Sequence, residues 1–431
     1  MNVEVRPQVR SGSQARVAGR CRFCDAPLAR TFIDLGLSPL CEGFRREDQI
    51  DSVEHYYPLH VYVCDACHLV QLKAYVSPEE IFTEYAYFSS YSTSWVAHAK
   101  AYCEDVTRRY GLGSDSLAVE LASNDGYLLQ HFVPLGVPVL GIEPAVNVAR
   151  VAIEKGIPTR TEFFGTALAR TLLDEGVRAD LVIGNNVLAQ VPDLNDFVAG
   201  MAMILKPEGV ITLEFPHLER LIAENQFDTI YHEHFSYFSL LFTVKLAAKH
   251  GLKVVDVEEL QSHGGSLRVH LALAGSRHSV GERVHEVLAR ERLRGLDRIE
   301  GYDGFAGKAA ALKRDLLSVL IAARNEGKSI CGYGAPGKGN TLLNYCGIGR
   351  DFLDFTVDRN PYKHGRYTPG MQIPILPVEA LDEARPDYIL ILPWNLQREI
   401  AKQMAHVAAW GGKFIVPVPF VRVVSPHEVL S

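Results

Sequence analysis

Two Cys-x-x-Cys pairs constrain this chain more than any other feature. Cys21-Arg-Phe-Cys24 and Cys64-Asp-Ala-Cys67 stand 39 residues apart, so two tight turns converge if all four sulfurs serve one ion. Four thiolates close a tetrahedral zinc shell and leave no position for a substrate. The expected zinc is therefore structural and stabilises a small domain. A redox dithiol needs only one such pair, and disulfides are rare in the cytoplasmic setting expected here. Cys41, Cys103, Cys331 and Cys346 lack partner spacing and read as small buried hydrophobes.

The 431 residues exceed what one core usually holds. A net charge of -7, with no Lys/Arg-rich block, argues against a nucleic-acid surface. No apolar run reaches membrane-spanning length, and the polar, Arg-bearing start lacks the apolar stretch of a signal peptide. These traits predict a cytoplasmic protein, a monomer or weak homo-oligomer, whose partner is a small molecule.

From Ser116 the pattern becomes β-α-β. Residues 117–122 read as a buried strand, Asn124-Asp125-Gly126 as a turn, 127–135 as a helix, 137–143 as a strand and 145–155 as a helix. Strands over 179–184 and 209–215 flank a helix near 194–205. After a helical stretch over 279–326 the alternation resumes, with strands over 329–333, 352–358, 388–392 and 413–416. The fold class expected is α/β, with two doubly wound Rossmann-like domains and a small N-terminal zinc-binding domain. The boundaries expected are a disordered tail over 1–20, the zinc-binding domain over 21–75, a cofactor domain with a helical lead-in over 76–275, and a second-ligand domain over 276–431.

The two sheets open differently. After the first strand, Glu120-Leu-Ala-Ser-Asn-Asp-Gly126 carries two carboxylates and one glycine, and Glu143 closes the next strand, placed for a ribose diol. Acids there repel a diphosphate and attract a sulfonium or an ammonium, which favours S-adenosylmethionine over a dinucleotide. In the second sheet, Gly332-Tyr-Gly334-Ala-Pro-Gly337-Lys338 leads into a helix, with Asp358 ending the next strand. That is a cradle for a diphosphate. Between them, Tyr231-His-Glu-His-Phe-Ser-Tyr237 crowds two imidazoles, a carboxylate and two phenols into one loop. Such a set suits proton transfer. A metal site on His232 and His234 is a rival reading that lacks a third ligand at familiar spacing.

The paired cysteines, Asp34-Leu-Gly-Leu-Ser-Pro39, Glu120 to Tyr127, Gly141-Ile-Glu-Pro144, Asn185-Asn-Val-Leu188, Tyr231 to Tyr237, His263-Gly-Gly-Ser-Leu-Arg268 and Tyr333 to Asn340 together resemble the three-domain sugar C-methyltransferases of deoxysugar biosynthesis. The resemblance runs from about residue 21 to 420. It implies a structural zinc on Cys21, Cys24, Cys64 and Cys67, and a central S-adenosylmethionine domain. It also implies a C-terminal domain for the dTDP part of a 4-keto-6-deoxy sugar, methylated beside the ketone. Cofactor contacts are expected at Glu120, Ser123, Asn124 and Gly126, at Glu143 and Pro144, and at Asn185 and Asn186. Substrate contacts are expected at Tyr333, Gly334, Lys338, Asn340, Asp358 and Arg268. By resemblance His234 is the base, Glu233 and Tyr231 orient it or hydrogen-bond the enolate, and Tyr85 closes the pocket. One position departs from the pattern: Gln190 stands where the family commonly has His. Glutamine donates a hydrogen bond but exchanges no proton, which keeps open an epimerase that deprotonates without methylating. A non-catalytic binder of nucleotide sugars has no need of the Tyr231 run.

Overall fold

The computed structural model describes residues 19–77 and 88–430. The tail up to residue 18, the helix start at Pro78 and Tyr85 lie outside the described residues. Gly19–Arg20 (β1), which the sequence placed in the tail, pairs with Pro27–Leu28 (β2) across the first cysteine turn.

Both cysteine turns have the same backbone. The Cys21 carbonyl accepts from Asp25 N and the Cys64 carbonyl from His68 N, each at 2.9 Å. Asp25 and His68 are correspondingly left-handed, at φ 61 and 68. The strands that follow are β3 (Arg30–Ser38), β4 (Tyr57–Val63) and β5 (Val70–Leu72).

The central sheet takes β6 (Ala118–Leu121), β7 (Val139–Ile142), β8 (Thr159–Arg160), β9 (Ala179–Asn185) and β10 (Leu205–Pro216), all parallel. Next in the chain comes β11 (Ser236–Tyr237), which leaves this sheet and pairs with β5, giving the order β11-β5-β4-β3. The end of the Tyr231 run is therefore an edge of the zinc module's own sheet. An antiparallel hairpin, β12 (Leu252–Leu260) and β13 (Ser266–Leu273), completes the central sheet as β12-β13-β10-β9-β6-β7-β8. The helix expected over 127–135 is instead two short 3-10 turns, Leu129–His131 and Val133–Leu135. Pro134 supplies no N–H for a helix interior there, and Gly136 ends the segment left-handed.

The C-terminal sheet comprises β14 (Ile330–Tyr333), β15 (Thr356–Val357), β16 (Ile375–Leu376), β17 (Tyr388–Ile391), β18 (Lys413–Val416) and β19 (Arg422–Val424), in the order β16-β15-β14-β17-β18-β19. In both sheets the order reverses beside the first strand, at β6/β9 and at β14/β17. A doubly wound sheet opens a crevice for ligands at such a point.

The cores cross these units. Phe32, Leu59 and Val61 of the zinc module share one apolar cluster with Phe305, Leu312 and Leu316 of a long helix and with Ile389 and Leu390 of the C-terminal sheet. Cys21, Phe23, Cys64 and Leu69 of the cysteine turns belong to the core of the central sheet. The zinc module is thus wedged between the two sheets.

Candidate active site

The four sulfurs of Cys21, Cys24, Cys64 and Cys67 lie within 4.8 Å of one another, with Cys21–Cys67 and Cys24–Cys64 each at 3.6 Å. Thiolates about 2.3 Å from a central zinc stand about 3.8 Å apart, so the set fits tetrahedral zinc.

Both crevices open on one cavity of about 830 Å3. On its central-sheet side Asn124, Glu143, Pro144, Asn185 and Asn186 line the wall. Glu143 Oε2 accepts from Asn124 N and Oε1 from Ala145 N, each at 2.9 Å, and each oxygen keeps a lone pair for a ligand diol. The Asn185 amide has both polar atoms buried without a partner among the described residues. Asn186 adopts φ 55, and its Nδ2 lies 3.0 Å from His263 Nε2.

Between the sheets stand Tyr231, Glu233 and His234, with Gln190 on the same cavity. His234 Nδ1 lies 3.1 Å from the Thr229 carbonyl, an acceptor that fixes the proton on Nδ1 and leaves the lone pair on Nε2. The ring packs tilted against Tyr231, centroids 4.1 Å apart. Burial, aided by Lys338 and His263, pushes the imidazole down to about 3, so it is neutral. Burial, with Glu42 beside it, pushes the Glu233 carboxyl up to about 8. One group thus holds a lone pair and its neighbour a proton, a contrast set mainly by burial.

Lys338 enters the cavity from the helix Gly337–Cys346. Its Nζ is 3.1 Å from Asn395 Oδ1 and 4.8 Å from the centre of the Trp394 ring. Burial lowers the Lys338 pKa, while Asp228 opposes the shift. Asp228, pushed up to about 6 by burial, also accepts from Trp394 Nε1 at 2.6 Å.

Residues 21–82 match a zinc binding domain, 95–257 a methyltransferase domain and 261–419 a C-methyltransferase C-terminal domain. The C-methyltransferase NovU of Streptomyces niveus is 35% identical over 415 residues, covering 96% of this chain and 99% of that one. This chain belongs to the S-adenosylmethionine-dependent C-methyltransferases. A ubiquinone biosynthesis O-methyltransferase of Bartonella quintana is 29% identical over 96 residues, 22% of this chain and 38% of that one. Among solved structures, magnesium protoporphyrin IX methyltransferase from Synechocystis PCC 6803 with bound SAH is 14% identical. It covers 41% of this chain and 82% of that one at a TM-score of 0.33, a likeness too slight to argue from.

In this C-methyltransferase several residues singled out by sequence lie away from the main cavity. Glu120 is buried beneath the first turn, where burial, with Glu143 nearby, raises its pKa well above the usual carboxylate range. Asp125 is buried and paired with Lys155 at 3.4 Å. Neither acid lines the cavity, and of the three acids that the sequence assigns to the cofactor side only Glu143 does. Ser123 is fully buried, and Gly126, at φ 75, packs against Ala152 and Ile157. Arg268 is engaged by Glu214 at 2.7 Å and Glu258 at 3.2 Å, its guanidinium over Tyr102. Asn340 donates to the Cys41 carbonyl at 2.6 Å, tying the helix to the zinc module. Tyr333 and Asp358 line a separate cavity of about 430 Å3 with Arg359 and His364. Gly334, at φ 86, turns the chain beside Pro393. His232 turns its ring towards Tyr57, centroids 5.8 Å apart.

The sequence assigned no role to Asp228, which bonds Trp394 beside Lys338, or to Asn395, Trp95, His98 and His263 on the cavity wall. His263 carried a signal, since the two glycines after it announce a tight turn; the others gave none. Among the described residues no helix is long and apolar enough to cross a membrane.

Proposed function

We propose that this enzyme methylates the carbon α to the ketone, C-3, of a dTDP-linked 4-keto-6-deoxy sugar through an enolate. The observation that carries the reading is the single cavity joining both sheet crevices, with Tyr231, Glu233 and His234 at the junction. Bound S-adenosylmethionine supplies an electrophilic methyl group; Asn124, Glu143, Asn185 and Asn186 are the residues to hold it. His234 Nε2 would take the α-proton and the C–H electron pair would move into the enolate; its carbon would then take the methyl group as the methyl–sulfur bond breaks, the electron pair staying on the sulfur of the departing thioether. Lys338 and the protonated Glu233 offer charge and hydrogen bonds to the enolate oxygen, the largest service an enzyme can give such a step. Gln190 adds an amide donor. The nucleotide lies toward the C-terminal sheet, where the Gly337–Cys346 helix presents its N-terminus.

The test is incubation with dTDP-4-keto-6-deoxyglucose and methyl-labelled S-adenosylmethionine. A sugar heavier by one labelled methyl group supports the proposal. A sugar of unchanged composition that takes up solvent deuterium at C-3 would replace it with the epimerase, and no change to the sugar would refute both.

A further inference from the structure

Arg22 lies between two zinc ligands, yet its side chain leaves the metal and reaches the loops of the active site. Its Nη1 donates to the Pro192 carbonyl at 3.1 Å, two residues beyond Gln190, and its Nη2 donates to the Leu72 carbonyl. The guanidinium lies over the Phe235 ring, 5.4 Å from its centre, beside His234. The strand it grips is the one that carries the reacting loop: Leu72 N donates to the Phe235 carbonyl at 2.9 Å, and Gln71 is the register partner of Ser236. Phe235 N in turn donates to the Ala189 carbonyl at 2.7 Å, which joins the Gln190 loop to the Tyr231 loop.

The cysteine turn is itself clamped. Gln71 Nε2 donates to Cys21 Sγ at 3.1 Å, while its Oε1 accepts from Arg22 N at 3.0 Å. From the other side Asn195 Nδ2 donates to the Arg22 and Phe23 carbonyls at 3.0 and 3.1 Å. The backbone at Arg22 is thus held from both sides, by Gln71 and by Asn195, within the turn whose cysteines face Cys64 and Cys67.

We infer that Arg22 is a positioning residue, through which the zinc turn sets the places of Gln190 and of Glu233-His234. The inference rests on the reading of Tyr231 to His234 as the reacting loop. Arg22 does not line the cavity, so it acts through Pro192, Leu72 and Phe235. A single planar fork reaches two carbonyls and an aromatic face at once in a fixed geometry, where an ammonium offers the same contacts without that preorganisation. Misplacing reacting groups by about 1 Å costs on the order of a hundredfold in rate.

The test uses the zinc-loaded, full-length protein carrying Arg22→Leu, Arg22→Lys or Asn195→Ala. Amide hydrogen exchange is followed over residues 186–192 and 230–238, with zinc content, S-adenosylmethionine affinity and turnover of dTDP-4-keto-6-deoxyglucose. In Arg22→Leu both segments should exchange faster, with zinc and cofactor affinity unchanged and kcat down about tenfold or more. Arg22→Lys should fall between it and wild type, and Asn195→Ala should show the same pattern more weakly. Wild-type exchange in both segments, or wild-type kcat, in an Arg22→Leu protein that retains zinc would overturn the inference. If Arg22→Leu fails to fold, Asn195→Ala decides: unaltered exchange and kcat there would also overturn it. Inactivity of the wild type on this sugar would refute the proposed substrate, while the exchange data would still judge Arg22.

Discussion

His234 donates its Nδ1–H to the Thr229 carbonyl at 3.1 Å, and this one bond selects the tautomer in which Nε2 can accept a proton. A ring free to flip would lose this bond and with it the preference for the proton on Nδ1. Buried against Tyr231, it has little freedom to do so.

His234→Gln keeps a side chain of similar size and removes the exchangeable lone pair. Turnover should fall at least ~100-fold, within the range that general-base catalysis contributes. Calorimetric titration with S-adenosylmethionine should give an unchanged affinity, since Asn124, Glu143 and Asn185 lie on the other wall.

Glu233 gives the pH dependence. Its carboxyl rises from 4.5 to about 8 on folding because burial disfavours the anion. The folded protein therefore holds a proton that the unfolded chain has released between these values, and stability falls as pH rises across that window. Glu233→Gln should flatten the slope of Tm against pH between about 5 and 8. It should also remove an alkaline limb near pH 8 from the kcat profile, the limb expected if protonated Glu233 bonds the enolate.

Gln190 separates a hydrogen-bonding role from a proton-transfer role. Gln190→Leu should reduce kcat/KM by roughly 10-fold or more through loss of one donor to the enolate. Gln190→His should retain activity, measured as initial rates of methyl incorporation.

Arg268 should matter for folding and not for substrate affinity. Removing it as Arg268→Met leaves Glu214 and Glu258 without their buried cation. The expected loss is about 3–5 kcal/mol, read by chemical denaturation. KM for the sugar should hold in whatever fraction stays folded.

Cys24→Ser breaks the sulfur tetrahedron and should lower zinc below one equivalent by metal analysis. Because the cysteine turns share the core of the central sheet, Tm should drop by at least ~5 °C.

The sequence carried the zinc tetrad and the two sheets, because each is written within a turn or over a short period; the cofactor class was read from Glu120 and Asp125, which do not line the cavity. Cysteine spacing fixes a knuckle, and a strand followed by a small-residue turn and a helix fixes a crevice. The expected helix over 127–135 failed where Pro134 sits at its interior. The Tyr231 run was legible for its chemistry, yet its last residues joining the zinc module's sheet as β11 was not. A two-residue strand has no period of its own and takes its place from its partner.

Which side chains share the cavity was a matter for tertiary structure alone. Lys338 and Asp358 belong to one glycine-rich motif by sequence and face two different cavities in the fold. Glu120 and Glu143 look alike as acids ending neighbouring strands, and only Glu143 reaches the wall. Arg22 is a spacer between cysteines in the sequence, and its partner carbonyl at Pro192 lies 170 residues away. Spacing determines local backbone geometry, but the direction a side chain takes is decided by what distant segments leave for it to pack against.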